Sequence, residues 1–572
     1  MAEKNKYIQP INPTNEERYK MIKIALEEGN HPEDFEDLVK LLSPPKDITT
    51  IGAPGSGKGI KVGIIGGGVA GLSAAFELRK LGFNITIFET QEKRIGGRIY
   101  THYFDKDKRF YGELGAMRIP VSHETTWHYI NLFKLKTRPF IQSNKNAFIY
   151  IKNKRVRNDS EGKNVMEKIY PEFDLKDWEK NMPWQKLLGY ALGTAFLKVP
   201  PSIRKEILQV KEHYSSTIEY LDSLSIRKVM EEMNLSEGAI ELISGLIPFL
   251  GGFYYNSYFE NMQEEYTVDS AFRYEIVGGT VNLPLSFYQS LICKSPKEYI
   301  NIEENDLGKI CWKNGKTVTG IYEGNKKNKV ALEYKSEKSL EISRESFDFV
   351  ICAIPFSSLR NVDVNPMFSN EKMQAIKEVN YVSSQKTIFM CNERFWEKGD
   401  AEEKIVGGGS HTDLSIETIW YPGYLNRDKI ENRKASNKHK KSDLYDEAGV
   451  LLASYNLNQD ALRLGNLDDR TRIEVIKRQV EEVHGLKKGY LDSIVEESKT
   501  VQWDSEKGFY GGFCYFMPEQ HRLFQYAMAK SEYDNRVYFA GEHISPVHAW
   551  IEGSVNTGMK AANDIAECCK NM

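Results

Sequence analysis

Long apolar runs are missing from the 572 residues. None approaches 18 consecutive apolar positions, so no membrane-spanning helix is expected. A basic excess is missing too. Lys and Arg number 77 against 80 Asp and Glu, a formal net charge of −3, which disfavours a nucleic-acid binder. The seven cysteines are odd in number and show no CxxC spacing, which argues against a disulfide framework and against a structural zinc site. The eleven histidines show no HExxH spacing, so no metal is expected. The first twenty residues hold no apolar signal core, which sets the expectation of a cytoplasmic protein. What is present suits a large packed chain. Hydrophobic residues make up 41% and charged residues 27%, and at about 150 residues per domain three to four domains are expected.

Residues 14–43 carry apolar stripes, Ile22, Ile24, Ala25 and Leu26 and then Phe35, Leu38, Leu41 and Leu42, which predict helix. A Pro/Gly-rich break follows at 44–59. Within it, Gly52-Ala53-Pro54-Gly55-Ser56-Gly57-Lys58-Gly59 resembles a phosphate-binding P-loop. That motif needs a hydroxyl after the lysine for Mg²⁺, with a strand before and a helix after. Gly59 has no hydroxyl and the flanks are reversed, so the stretch reads as a connector. Residues 160–245 are rich in helix formers, at 166–169, 177–188, 203–210 and 226–250, and predict a helical insertion. Strand signals return over 300–355. The polar, basic stretch 432–443 reads as a solvated loop.

The chemistry begins at Lys61–Ile65, a short apolar run that predicts a strand. Gly66-Gly67-Gly68-Val69-Ala70-Gly71 follows, then a helix pattern over 70–81 and a second apolar run ending in Glu89. This is GxGxxG in a βαβ unit, the fingerprint of dinucleotide binding. Gly66 permits the tight turn, Gly68 lets backbone approach a pyrophosphate, and Gly71 lets helix pack on strand. Val69 and Ala70 open the helix, whose free N–H groups favour phosphate. Glu89, 18 residues past Gly71, can accept from ribose hydroxyls. Gly96-Gly97-Arg98 adds a charge clamp near the pyrophosphate. Far along the chain, Tyr538-Phe539-Ala540-Gly541-Glu542 ends another strand-like run. A helix beginning near Gly553-Ser554 returns the chain to the same cofactor.

The order GGGVAG, Glu89, GGR and a C-terminal AGE resembles the FAD-dependent amine oxidases. The likeness is greatest to the L-amino acid oxidases and their decarboxylating relatives, the tryptophan and lysine monooxygenases. It runs from about residue 61 to 566. The key piece is Glu113-Leu114-Gly115-Ala116-Met117-Arg118-Ile119-Pro120, which resembles the segment passing the flavin and presenting an arginine to the substrate carboxylate. The resemblance implies an α/β protein: a Rossmann-like, GR2-type FAD domain plus a mixed-sheet substrate domain with a helical insertion. Its segments are expected at 1–60 (helical extension), 61–99, 266–358 and 533–572 (FAD), 100–160 and 359–532 (substrate), and 161–265 (helical insertion).

By the same resemblance FAD is held by Gly66, Gly68, Val69, Ala70, Gly71, Glu89, Gly97, Arg98, Gly115, Ala116, Met117, Arg118, Glu542, Trp550, Ile551 and Ser554. No cysteine attachment motif stands out after residue 541, so noncovalent FAD is expected. Arg118 is the carboxylate receptor, since a planar guanidinium offers two donors where lysine offers a point charge. Tyr421, in Ile419-Trp420-Tyr421-Pro422, matches the tyrosine that also holds the carboxylate. Lys386 matches the lysine that reaches the flavin through a water. Trp550 and Phe513 match the aromatic walls, and the backbone of Ala549 accepts from the amine. The implied activity is oxidative deamination of an L-amino acid to a 2-oxo acid, ammonia and H₂O₂. The alternatives are a decarboxylating monooxygenase, giving an amide and CO₂, and an amine or polyamine oxidase. The implied partners are a small-molecule amino acid and O₂, with neither nucleic acid nor membrane. Members of the family are often homodimers; this sequence carries no signal either way. Leu246–Tyr255 would line an apolar pocket for a large apolar or aromatic side chain, whereas Glu264 would suit a cationic one. One departure stands out. Some relatives place a histidine from the helical insertion near the site, and Phe259-Glu260-Asn261-Met262-Gln263-Glu264-Glu265 has none.

Overall fold

The computed structural model describes residues 7–324, 328–336, 338–339, 341–423 and 448–571. The basic stretch 432–443 lies outside the described residues. Lys61–Ile65 and Asn84–Glu89 are short runs of β-branched and aromatic residues, buried on both faces, as strands at the centre of a parallel sheet must be. They pair in parallel, with Lys61 opposite Asn84 and Ile65 opposite Phe88. Three strands from far along the chain complete a five-stranded parallel sheet. Its order is Ile310–Asn314, Asn84–Glu89, Lys61–Ile65, Phe349–Cys352, Val537–Phe539. The helix Val69–Lys80 is buried along its whole length. The C-terminal helix Ile551–Lys570 packs on it, and Ser73 Oγ donates to the carbonyl oxygen of Val555 at 3.2 Å.

A second sheet has seven strands and mixed direction. Its order is Val495–Gln502, Ser384–Cys391, Gly449–Leu457, Thr418–Trp420, Gly409–Thr412, Phe148–Ile151, Lys154–Arg157. Only the pair between Gly409–Thr412 and Phe148–Ile151 is parallel. All eight residues of Ser384–Cys391 are buried. A run of short helices, from Lys163–Lys168 to Tyr258–Tyr266, separates the strands Lys154–Arg157 and Arg273–Ile276 along the chain.

The N-terminal stripes form two helices rather than one, Asn15–Glu28 and Phe35–Leu42. The break falls where Asn30 takes a left-handed backbone (φ +62°) and Pro32 removes a donor. Buried Arg18 ties the first helix to the body through both oxygens of Glu124, at 2.6 and 3.1 Å. The predicted helix over 177–188 is likewise split, into Asp177–Lys180 and Trp184–Leu188, with Pro183 between. The P-loop-like stretch is a turn whose Lys58 pairs with Asp306 at 2.6 Å, and a strand follows it. Among the described residues no helix is long and apolar enough to cross a membrane.

Candidate active site

One cavity of about 800 Å³ runs from the glycine turn, past the mixed sheet, to the helical region. At its first end Gly66 turns the chain at φ +106°, which disfavours any side chain. A Cβ on Gly71 would stand 2.2 Å from the carbonyl oxygen of Gly66. Gly66, Gly68, Val69 and Ala70 line the cavity, so the N-terminus of the buried helix opens into it. Glu89 is 7% exposed and also lines it. Its oxygens accept from the backbone N–H groups of Gly67 at 2.9 Å and Gln91 at 2.7 Å. Burial raises its pKa. The N-terminus of the C-terminal helix reaches the same cavity through Trp550, Ile551 and Ser554. Two helix N-termini, a strand-end carboxylate and a long cleft fit a dinucleotide, with no cysteine among the lining residues.

Arg98 lines the cavity, but its charge is answered. Its Nη1 pairs with Glu542 at 2.8 Å and donates to the carbonyl oxygen of Gly512 at 3.2 Å. Glu542 also accepts from the N–H groups of Cys514 and Ala549. Arg98, expected as a charge clamp, thus forms an ion pair that knits three distant segments together at the cavity.

Gly115, Ala116, Met117 and Arg118 line the middle of the cavity. The Arg118 guanidinium lies 5.2 Å from the Trp420 ring and 5.9 Å from the Phe140 ring. Among the described residues it has neither a hydrogen bond nor an ion pair. Glu113, its neighbour in sequence, is engaged elsewhere, accepting from Thr101 Oγ1 and the N–H of Thr280. Burial lowers the Arg118 pKa, opposed by Tyr455 and Glu264.

Lys386 is 2% exposed. Its Nζ donates to the carbonyl oxygen of Gly115 at 2.7 Å and stands 4.2 Å from the Tyr455 ring centre. Burial pushes its pKa down to about 7, helped by the Arg118 charge and opposed by Glu113. Phe513, Ala549 and Trp550 all line the cavity. Ala549 holds a left-handed backbone (φ +64°), a conformation that costs a non-glycine residue energy and sits here at a ligand cavity. Trp550 packs edge-on to His123, and the Arg273 guanidinium lies 5.3 Å from its ring.

Tyr421 is not in the cavity. Its side chain is buried on the other face of the strand, and its hydroxyl meets Ser410 Oγ and His484 Nε2, both at 2.7 Å. Successive strand residues point to opposite faces, so with Trp420 lining the cavity Tyr421 faces away. Tyr455, on Gly449–Leu457, the strand next to that of Lys386, does line the cavity, as do Tyr510 and Tyr515. Tyr455 stands directly opposite Lys386 in register. Sequence reasoning missed it, although pairing the lysine strand with the next long apolar strand would have exposed it. Arg273 and Glu264, also missed or left open, line the cavity too. Burial and the nearby Arg118 charge lower the Arg273 pKa to about 9.

Comparison with known proteins bears on the family. Residues 69–566 match the model of the flavin containing amine oxidoreductases. L-amino acid oxidase bordonein-L of Crotalus durissus terrificus is 30% identical over 515 residues, 89% of this chain and 87% of that protein. An L-amino-acid oxidase of Crotalus adamanteus is 29% identical over 553 residues, 96% and 93% of the two chains. Among solved structures, putrescine oxidase bound to putrescine superposes with a TM-score of 0.63 at 15% identity. The match covers 88% of this chain and 98% of that one and speaks for the fold alone. The chain belongs to the flavin-containing amine oxidoreductases and is an FAD-dependent oxidoreductase.

Proposed function

We propose that the protein oxidises an L-amino acid to its 2-oxo acid, with release of ammonia and H₂O₂. One observation carries this reading: a guanidinium, Arg118, that faces the cavity without a hydrogen-bond or ion-pair partner. A guanidinium facing a ligand cavity without a hydrogen-bonded or ion-paired partner suits an anion, and a planar fork fits a carboxylate. The relatives named L-amino acid oxidases support it.

When bound, FAD supplies the two-electron acceptor for the Cα–H bond and the route to O₂. The protein's part is to bind, orient and manage protons. Arg118 receives the carboxylate, with Tyr455 beside it. The Ala549 carbonyl is offered to the amine, and Trp550 and Phe513 form aromatic walls. Lys386, poised near neutrality, holds a mobile proton at Nζ against the Gly115 carbonyl. Ile247, Pro248, Phe249, Leu250 and Phe253 line the cavity and support a long apolar side chain or stem. The cofactor is held without a covalent bond, a reading supported by the lack of cysteine in the lining.

The test is an anaerobic screen of the twenty L-amino acids against the yellow holoenzyme, followed by mass analysis of aerobic products. Bleaching of the flavin band by an amino acid and a 2-oxo acid product are expected. An amide with CO₂ would show a decarboxylating monooxygenase instead. Bleaching by amines but by no amino acid would show an amine oxidase.

A further inference from the structure

The cavity wall on the helical side carries acidic side chains that make neither a hydrogen bond nor an ion pair among the described residues. Asn261, Glu264 and Glu265 lie at i, i+3 and i+4 on the helix Tyr258–Tyr266, and all three line the cavity. Among the described residues neither glutamate side chain has a hydrogen-bond or ion-pair partner. The Oδ1 of Asn261 is buried and likewise without a partner. Burial raises the pKa of both glutamates, that of Glu264 to about 7. The charges facing Glu264 are Asp269, Arg273 and Arg118; His31 faces Glu265. Buried charges in proteins are ordinarily paired, because leaving one desolvated and alone is costly. Glu264 and Glu265 are half-buried at the cavity wall, and without a hydrogen-bonded or ion-paired protein partner they suit a cation on the ligand.

Apolar side chains from the helical region also line the cavity, among them Trp184, Leu188, Leu192, Ile226, Leu250 and Phe253. A side chain that suits both parts has a straight hydrocarbon stem and a positive tip, since such chains bury the stem along apolar surface and present the head to a polar partner. Aromatic or branched aliphatic side chains would meet the apolar side chains and leave both carboxylates unpaired.

We propose that the preferred substrates are basic L-amino acids, with the side-chain cation received by Glu264 and Glu265. This rests on the L-amino acid oxidase reading and narrows it to a substrate class. Arg118 then answers one end of the substrate and the acidic helix face answers the other.

The test compares kcat/KM of the holoenzyme for L-lysine and L-norleucine, which share a four-carbon stem and differ in the terminal ammonium. Lysine is expected to exceed norleucine at least tenfold. The Glu264→Gln/Glu265→Gln double variant, checked for full FAD content, is expected to lower the lysine-to-norleucine ratio at least tenfold. Norleucine or phenylalanine outperforming lysine in the parent enzyme would overturn the proposal. An unchanged ratio in the double variant would overturn it too, and would place these carboxylates at the amine common to all substrates. If no L-amino acid bleaches the flavin, the activity itself has been misread, and that result is distinct from a wrong side-chain preference.

Discussion

Arg118 keeps its charge between two aromatic rings and makes no hydrogen bond to the protein. Charge-assisted bidentate contacts are strong, so its removal should be felt in binding and in the transition state alike. Arg118→Ala is expected to lower kcat/KM for the best L-amino acid about 100-fold, close to 3 kcal/mol. Arg118→Lys should recover little, because the fork is lost. The two tyrosines separate cleanly. Tyr421→Phe leaves Ser410 and His484 without their shared hydroxyl, so it should cost about 1–3 kcal/mol of stability by denaturant titration while kcat/KM holds. Tyr455→Phe should do the reverse. Lys386 carries a pH signature. Its folded pKa is near 7, below the ordinary 10.5, so between those values the unfolded chain binds the extra proton. Stability from this group therefore rises with pH across that window. Lys386→Met is expected to gain stability over the parent at pH 6, and the gain should shrink towards pH 10. A gain that grows with pH would contradict the burial account.

At the scale of elements, the glycine turn decides whether the cofactor site exists. The Cβ of a Gly71→Ala variant would press on the Gly66 carbonyl at 2.2 Å, so helix and strand must separate. Overpacking of this kind costs about 1–3 kcal/mol and moves the helix N-terminus that opens into the cavity. Loss of yellow colour, read as the ratio of flavin to protein absorbance, is the expected result. This βαβ unit was legible because local signals agree: a short β-branched run, glycines at fixed spacing, an apolar helix and an acid at the next strand's end. Helix lengths were less legible. The 14–43 pattern and the 177–188 pattern are both interrupted where a proline and, in the first, a left-handed asparagine override the apolar periodicity. Strand faces were the least secure. A period of two means that one residue's shift reverses the side, and that shift turned Trp420 inward and Tyr421 away.

At the scale of the whole molecule, the parallel sheet draws strands from residues 61–89, 310–314, 349–352 and 537–539, and residues just past their ends, Gly66, Thr90, Lys316, Ala353 and Gly541, line the cavity. A ligand spanning such distant segments binds only the folded state and stabilises it by mass action. Stripping FAD is expected to lower the thermal midpoint, and re-addition at 100 times Kd should restore about 2.7 kcal/mol. An apoprotein melting at the same temperature as the holoenzyme would contradict this. The Arg98–Glu542 ion pair, with Gly512 and Cys514 attached, should make the apoprotein's loss cooperative rather than local. The amino-acid sequence by itself determined the dinucleotide fingerprint, the arginine-bearing segment and the lysine strand, because each is written in contiguous residues whose spacing carries the chemistry. Tertiary structure alone decided which tyrosines face the cavity, that Arg98 is neutralised, and that two glutamates with no hydrogen-bond or ion-pair partner among the described residues line the cavity along with apolar side chains. Those outcomes depend on strand pairing and on which charges come within reach across hundreds of residues, and no local pattern encodes them.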